Sequence, residues 1–149
     1  MGKPIAPGLR IVLQSQPDTV RYGLRHVNEW IAQSGQPGLQ GSVEIVLAEV
    51  INNVIEHAYA GEPQGIIEIS LDPSEKGFAC LIRDSGKPMP GEVLPKGSLP
   101  DLDVPLEDLP EGGFGWHMIR TLVDDLTYAR EAGQNHLSFK MHAMDEATA

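Results

Sequence analysis

Three polar side chains recur at intervals of four in the segment EVINNVIEHAY, which runs from Glu49 to Tyr59. In a helix, Glu49, Asn53 and His57 would lie on one face. An asparagine oxygen can ligate Mg²⁺, and a nearby glutamate can orient or deprotonate a nucleophile. The alternative is an amphipathic helix whose polar side meets water, so the stripe alone does not establish a site.

A second candidate is the segment RDSGKPMP, which begins at Arg83. Asp84 ends an apolar strand pattern, and Gly86 and Pro88 follow where the backbone must turn sharply. A carboxylate in that position can accept a hydrogen bond from an exocyclic amine such as that of adenine. The alternative is an ordinary Asp-Ser-Gly turn that closes a strand.

The third candidate is the glycine-rich segment EGGFGWHMI, which begins at Glu111. Gly112, Gly113 and Gly115 lead directly into a helical pattern, so backbone amides and the helix terminus could approach a phosphate group. No Lys-Ser or Lys-Thr pair follows, so this is not a GxxxxGK[ST] loop. The alternative is a flexible hinge that only connects a loop to a helix.

Composition narrows the class of ligand. The chain has 149 residues and a formal net charge of -10, which opposes binding to DNA or RNA. A small phosphorylated ligand remains compatible, because a metal ion and oriented amides can bind phosphate without a basic surface. No apolar run could cross a bilayer and no secretory signal is visible, so we expect a cytoplasmic protein without membrane contact. The single cysteine, Cys80, excludes an internal disulfide.

Hydrophobic periodicity predicts the element order β, α, α, β, β, long loop, α, β, β. Because strands that neighbour in sequence form hairpins, we expect an α/β (α+β) two-layer sandwich, with a mixed, mainly antiparallel sheet covered on one face by about three helices. The predicted elements are a strand at Leu9 to Ser15, a helix from Pro17 to Gly35, a helix capped by Ser42 and ending near Ala60, a hairpin of Gly65 to Leu71 with Gly77 to Asp84, a helix from Phe114 to Leu126, and a closing hairpin around Gly133 to Asn135.

One domain is predicted at residues 9–142, after an N-terminal extension at residues 1–8 and before a disordered tail at residues 143–149. Residues 88–112 form a long proline-rich stretch without a secondary-structure pattern. A connection of that length in a compact domain is usually a functional lid or is disordered. We therefore expect a lid beside the site.

Taken in order, the three segments resemble the N box and the first and second glycine boxes of the Bergerat-type (GHKL) ATPases. The resemblance extends roughly from Leu9 to His142, and the segments EVINNVIEHAY and GGFGWHMIRTLVDDLTY are most similar to the anti-sigma-factor serine kinases of bacteria. It implies a Bergerat ATP-binding fold with ATP and Mg²⁺ as cofactors.

The resemblance also implies roles for the polar stripe and for the turn. Glu49 matches the general base, Asn53 matches the magnesium ligand and His57 matches the residue that ends the N box. Asp84 matches the carboxylate that reads adenine. Gly86 supports that pocket.

On the phosphate side, Gly112, Gly113 and Gly115 match the second glycine box, and Pro88 lies at the start of the lid in the same nucleotide site. Phe114 and Trp116 belong to this segment but are bulkier than the resemblance leads one to expect.

As a whole, the resemblance implies an ATP-dependent protein serine kinase that binds a sigma factor and phosphorylates a small anti-sigma-factor antagonist. Dimerisation is common in that family, so a homodimer is one candidate oligomeric state. The alternative is a nucleotide-sensing module that binds a partner without significant kinase activity, because Lys96 is the only cation between Gly91 and Glu111. A third interpretation is a structural α/β domain without a ligand.

Overall fold

The computed structural model describes residues 7–34, 36–96 and 113–143. Within these ranges the chain forms five strands and three α-helices. The strands are β1 (Leu9–Gln14), β2 (Ile66–Ser74), β3 (Gly77–Asp84), β4 (Asp124–Glu131) and β5 (Gln134–His142), and the helices are α1 (Pro17–Gln33), α2 (Gln40–Asn53) and α3 (Gly113–Leu122).

The five strands form one antiparallel sheet in the order β1-β2-β3-β5-β4. Alternate residues face the helices, so one row across the sheet pairs Ile69 with Ile82 and Ile82 with Leu137. These side chains share a buried core with Ile31 of α1 and Ile51 of α2. The predicted two-layer fold is confirmed, and its sheet is antiparallel throughout the described residues.

The start of α2 differs from the prediction. The helix begins at Gln40 with Leu39 in the N-cap position, and no side chain caps it, so the assignment of Ser42 as the cap is wrong. Leu39 is buried in the core and ends a short 3₁₀ turn, Pro37–Leu39, that runs directly into α2. Packing of Leu39 therefore determines where the helix begins.

The end of α3 also differs. The apolar spacing predicted a helix to Leu126, but α3 ends at Leu122 and Asp124 already pairs with Lys140 of β5. A β-bulge follows, in which Asp125 has a φ of 53°. Strand pairing across the sheet thus overrides a local pattern that was compatible with helix.

The C-terminal end of α2 changes geometry before it reaches β2. Val54–Ala58 form a π-helical turn, in which the N–H of Tyr59 donates to the carbonyl of Val54 at 2.9 Å. Such turns are rare and are frequent at functional sites. Gly61, with a φ of 80°, then ends the helical path near the predicted boundary at Ala60.

Most of the predicted tail, most of the predicted N-terminal extension and the greater part of the lid lie outside the described residues. Among the helices that the structure describes, none has both the length and the apolar character needed to span a bilayer.

Candidate functional site

A cavity of about 310 Å³ lies between the end of α2, the turn after β3, α3 and the β4-β5 hairpin. Its volume falls at the lower end of the range for small-molecule sites. Its described lining contains five of the residues singled out from the sequence: Asn53, His57, Asp84, Pro88 and Trp116. Apolar side chains form much of the rest: Val50, Val54, Ala58, Ile82, Met89 and Leu137.

Asp84 is the buried polar anchor of this cavity, with 5% of its surface exposed. Its Oδ1 accepts hydrogen bonds from the N–H of Gly86 at 2.9 Å and from Nδ2 of Asn135 at 2.8 Å. Its Oδ2 has no hydrogen-bond partner among the described residues. Burial raises the pKa of Asp84, and the donors from Asn135 and Gly86 partly offset that increase. One carboxylate oxygen is therefore available to a ligand that offers a hydrogen-bond donor.

The turn that carries Asp84 is fastened to the end of α2. The N–H of Lys87 donates to the carbonyl of Ala58 at 2.7 Å, and the N–H of Ser85 donates to the hydroxyl of Tyr59 at 2.8 Å. Gly86 permits this approach, because a Cβ at that position would lie 2.7 Å from Cβ of Ala58. The glycine in the turn after Asp84 is therefore explained by its close packing against Ala58.

The Gly86→Ala substitution should therefore lower both stability and ligand affinity. Forcing a methyl group against the backbone of Ala58 should cost about 1–3 kcal/mol of unfolding free energy and displace the turn that carries Asp84. Chemical denaturation measures the first effect. Gly41→Ala is the matched control, since a Cβ on this exposed helical glycine meets nothing within 4 Å and should be neutral or stabilising. Equal stability of the Gly86→Ala variant and the wild type would contradict this packing argument.

Asn53 and His57 line the same cavity from the end of α2 and from the π-helical turn that follows it. Asn53 is the last residue of α2 and half-buried, whereas His57 is exposed on the π-helical turn. No three His, Cys, Asp or Glu side chains cluster as a metal site in the described part of the chain. A single amide oxygen fits Mg²⁺ when phosphate oxygens and water complete the coordination shell, which is the usual case for this ion.

Glu49 lies one turn before Asn53 and is half-buried, but it is not part of the described cavity lining. Its carboxylate lies close to Gly115 of α3, because a Cβ built at Gly115 would be 2.5 Å from Oε2 of Glu49. The structure thus brings Glu49 and Gly115 together between α2 and α3, beside the cavity that contains Asn53.

The glycine-rich segment is described only in part. Gly112 lies outside the described residues, and Gly113 and Phe114 are the first two residues of α3. Trp116 is buried and contributes an apolar wall to the cavity. Its bulk, which the resemblance did not lead one to expect, is thus accommodated by packing in the core.

The start of the lid is tied to α3. Arg120 donates from Nε at 3.0 Å and from Nη2 at 2.7 Å to the carbonyl of Pro95. Pro95 itself lines the cavity. The described beginning of the lid therefore lies against both the cavity and the helix that follows the glycines.

Three residues of the β4-β5 hairpin belong to the site and were not predicted. Asn135 and Tyr128 line the cavity, and Arg130 donates from Nη1 to the carbonyl of Gly86 at 2.7 Å. In the sequence, Asn135 follows Gly133 in a hairpin turn and carries no motif of its own. Only the register that places Asn135 opposite Asp84 in the sheet reveals the connection.

Comparison with known proteins identifies the family of the chain. Residues 13–141 match the family described as histidine kinase-like ATPase domain. The chain is 27% identical over 130 residues to "Serine/threonine-protein kinase BtrW" of Bordetella bronchiseptica, with 85% of each chain covered. It is 31% identical over 99 residues to "Serine-protein kinase RsbW" of Bacillus thuringiensis and of Bacillus mycoides, covering 66% of this chain and 61% of each relative. This chain therefore belongs to the histidine kinase-like ATPase domain family.

Proposed function

We propose that the protein is an ATP-dependent protein serine kinase of the anti-sigma-factor type. The observation that carries the proposal is that an amide, Asn53, and a buried carboxylate, Asp84, line a single cavity large enough for a small ligand. Family membership and two relatives with names that describe serine kinases support the same reaction class.

In the proposed complex, Oδ2 of Asp84 accepts a hydrogen bond from the exocyclic amine of adenine. The apolar wall that includes Val50, Ile82 and Trp116 covers the base, which removes the competing water. Asn53, which lines the same cavity, would hold Mg²⁺ together with the phosphates. Bound Mg²⁺ supplies electrostatic stabilisation of the charge on the transferring phosphoryl group.

Phosphoryl transfer then requires a positioned nucleophile. The serine hydroxyl oxygen of the substrate protein attacks the γ-phosphorus, the bond from that phosphorus to the bridging oxygen breaks, and ADP leaves. Glu49 accepts the proton of the hydroxyl group. The start of α3, with Gly113 and Gly115, offers backbone N–H groups and a positive helix terminus to the phosphates. His57, Pro88 and Phe114 complete the nucleotide site in this proposal, together with Gly112.

The proposed protein partners are a sigma factor and a small anti-sigma-factor antagonist, with the antagonist as phosphoryl acceptor. We further propose that the protein acts in the cytoplasm and does not bind nucleic acid directly. Its acidic net charge of -10 supports the last point. The proposed oligomer is a homodimer.

Phosphotransfer tests the reaction directly. Purified protein, Mg²⁺ and γ-labelled ATP should transfer label to a serine of the antagonist protein encoded nearest to it in the genome. Transfer should fail with the antagonist variant that lacks the acceptor hydroxyl. Stable ATP binding with no label on any candidate antagonist would contradict kinase activity.

ATP binding without phosphotransfer is the result expected for the alternative function, a nucleotide-sensing module that binds a partner without significant transfer. A specific observation favours it: Lys96 is the only cation between residues 91 and 111, so the lid offers little positive charge to the γ-phosphate.

Both functions require nucleotide binding, which a thermal shift tests first. ATP at about 100 times its Kd should add about 2.7 kcal/mol to the unfolding free energy. For a chain of this size that corresponds to a rise in Tm of roughly 5–10 °C. An unchanged Tm at millimolar Mg-ATP would instead support a structural domain without a nucleotide ligand.

A further inference from the structure

Asn135 has an unusually complete set of contacts for a side chain in the wall of a cavity. Its Nδ2 donates to Oδ1 of Asp84 and to the carbonyl of Lys87, both at 2.8 Å. Its Oδ1 accepts from the hydroxyl of Tyr128 at 2.5 Å and from Nη1 of Arg130 at 3.0 Å. Both N–H groups and both lone pairs of the amide are therefore used within the protein.

These contacts fix the orientation of the amide. Two donors, from Tyr128 and Arg130, surround its oxygen, and two acceptors surround its nitrogen, so a rotated amide would lose all four hydrogen bonds. Asn135 is also buried, with 5% of its surface exposed. It therefore has no free polar group for a ligand and acts on a ligand through the groups to which it is bonded, of which Asp84 is the buried carboxylate.

We propose that Asn135 is the positioning residue of the nucleotide site and that it presents Asp84 to the ligand with a single free oxygen. With the N–H of Gly86, its Nδ2 occupies Oδ1 of Asp84, so the orientation of the carboxylate is fixed and only Oδ2 remains for the exocyclic amine. This inference rests on the proposed function, in which Asp84 contacts adenine.

The same network fixes the backbone that begins the lid. Arg130 donates to the carbonyl of Gly86, Asn135 donates to that of Lys87, and the N–H of Met89 donates to the hydroxyl of Tyr128 at 3.0 Å. Each residue that orients Asp84 therefore also holds part of the segment from Gly86 to Met89. The hairpin binds the carboxylate and its loop as one unit.

The electrostatic role of Asn135 can be separated from its packing role. Burial raises the pKa of Asp84, whereas donation from Asn135 lowers it, followed by the N–H of Gly86 and the charges of Arg130 and His136. Other ionisable groups near the turn include Tyr59, Lys87 and Tyr128, and His57 lines the cavity from the α2 side. Loss of the Asn135 donor should thus raise the pKa of Asp84 further.

The sign of the effect on binding follows. Only the ionised carboxylate accepts hydrogen bonds at both oxygens, so acidification through the pKa of Asp84 weakens ATP binding. Without the donor, this loss begins at a higher pH. Folding has the opposite dependence, because a group with a raised folded-state pKa contributes more stability at low pH and loses it as the pH rises.

The test is calorimetric titration of Mg-ATP between pH 6 and pH 8.5 with the wild type and the Asn135→Leu variant, which has a side chain of similar size. The ratio of the variant's Kd to that of the wild type should increase as the pH falls from 8.5 to 6, because a larger fraction of Asp84 is then protonated in the variant than in the wild type. Gln134→Ala is the matched control, since Gln134 is the neighbouring residue and, among the described residues, its side-chain amide contacts only Oγ of Ser85, at 3.4 Å. This control should retain the wild-type profile.

Tyr128→Phe is the milder second variant, which removes one donor to Asn135 and should shift the profile in the same direction by a smaller amount. Tyr128→Phe provides the test if Asn135→Leu does not fold. Chemical denaturation in the absence of nucleotide shows whether each variant folds. If both variants fold, a variant-to-wild-type ratio of Kd values that is independent of pH in both would overturn the positioning role. If only Tyr128→Phe folds, a pH-independent ratio in that variant would overturn it. Failure of the wild type to bind ATP at any pH would instead overturn the proposed function on which the inference rests.

Discussion

Asp84→Ala should abolish measurable ATP binding while leaving the fold intact. The substitution removes the acceptor for adenine and leaves the N–H of Gly86 and one of the two N–H groups on Nδ2 of Asn135 without an acceptor. Losing a hydrogen bond to a charged group and leaving buried donors unpaired should weaken binding by at least about 100-fold. Calorimetric titration of Mg-ATP measures this loss, with circular dichroism as the check on folding.

The Asp84→Asn variant separates recognition of the amine from simple loss of a contact. Inosine triphosphate carries a carbonyl where ATP carries the exocyclic amine, so the wild type should bind ATP more tightly by about 100-fold or more. The amide of the variant can donate to that carbonyl, and the preference should narrow to about tenfold or less. Equal affinity of the wild type for both nucleotides would contradict adenine recognition by Asp84.

Glu49→Gln should have the second large effect, on transfer and not on binding. Glutamine preserves the shape of the side chain but cannot accept the proton of the attacking hydroxyl group. A lost general base reduces kcat by about 10²–10⁴-fold. The Kd for Mg-ATP should stay within about twofold of wild type, because an interaction made only in the transition state does not contribute to ground-state binding. Single-turnover phosphotransfer and calorimetry measure the two quantities.

Glu44→Gln is the matched control for this experiment, since Glu44 is an exposed carboxylate on the same helix, away from Gly115. It should transfer phosphate at the wild-type rate. A second variant, Gly115→Ala, perturbs Glu49 from α3. Its methyl group would displace the Glu49 carboxylate, which can move because it is the end of a flexible side chain. Transfer should fall with little change in stability. Wild-type transfer rates in the Glu49→Gln variant would remove Glu49 from the mechanism.

The architecture was predictable because the hydrophobic pattern of each helix and strand indicates which of its faces is buried. Alternating Leu9, Ile11 and Leu13 face the helices, and the sheet they join has the expected antiparallel hairpins. Two boundaries were wrong for the same physical reason. Packing of Leu39 starts α2 ahead of Ser42, and pairing of Asp124 with Lys140 ends α3 early, so tertiary contacts overrode local preference.

Part of the candidate site could be predicted from residues whose chemistry and spacing form a motif. Asn53 and Asp84 each belong to a short motif, and the fold places both in one cavity. Asn135 could not be found in this way, because it lies 51 residues from Asp84 in sequence and its role depends on strand register. The steric requirement for glycine at position 86 could not be predicted either, because it depends on the close approach of Ala58 in the folded chain.

The most direct measurement is a crystal structure of the protein with Mg²⁺ and a non-hydrolysable ATP analogue. The exocyclic amine should lie within hydrogen-bond distance of Oδ2 of Asp84, and the metal should be coordinated by Oδ1 of Asn53 and by phosphate oxygens. Nucleotide bound outside this cavity, or bound within it with the adenine directed toward Asn53, would contradict the account.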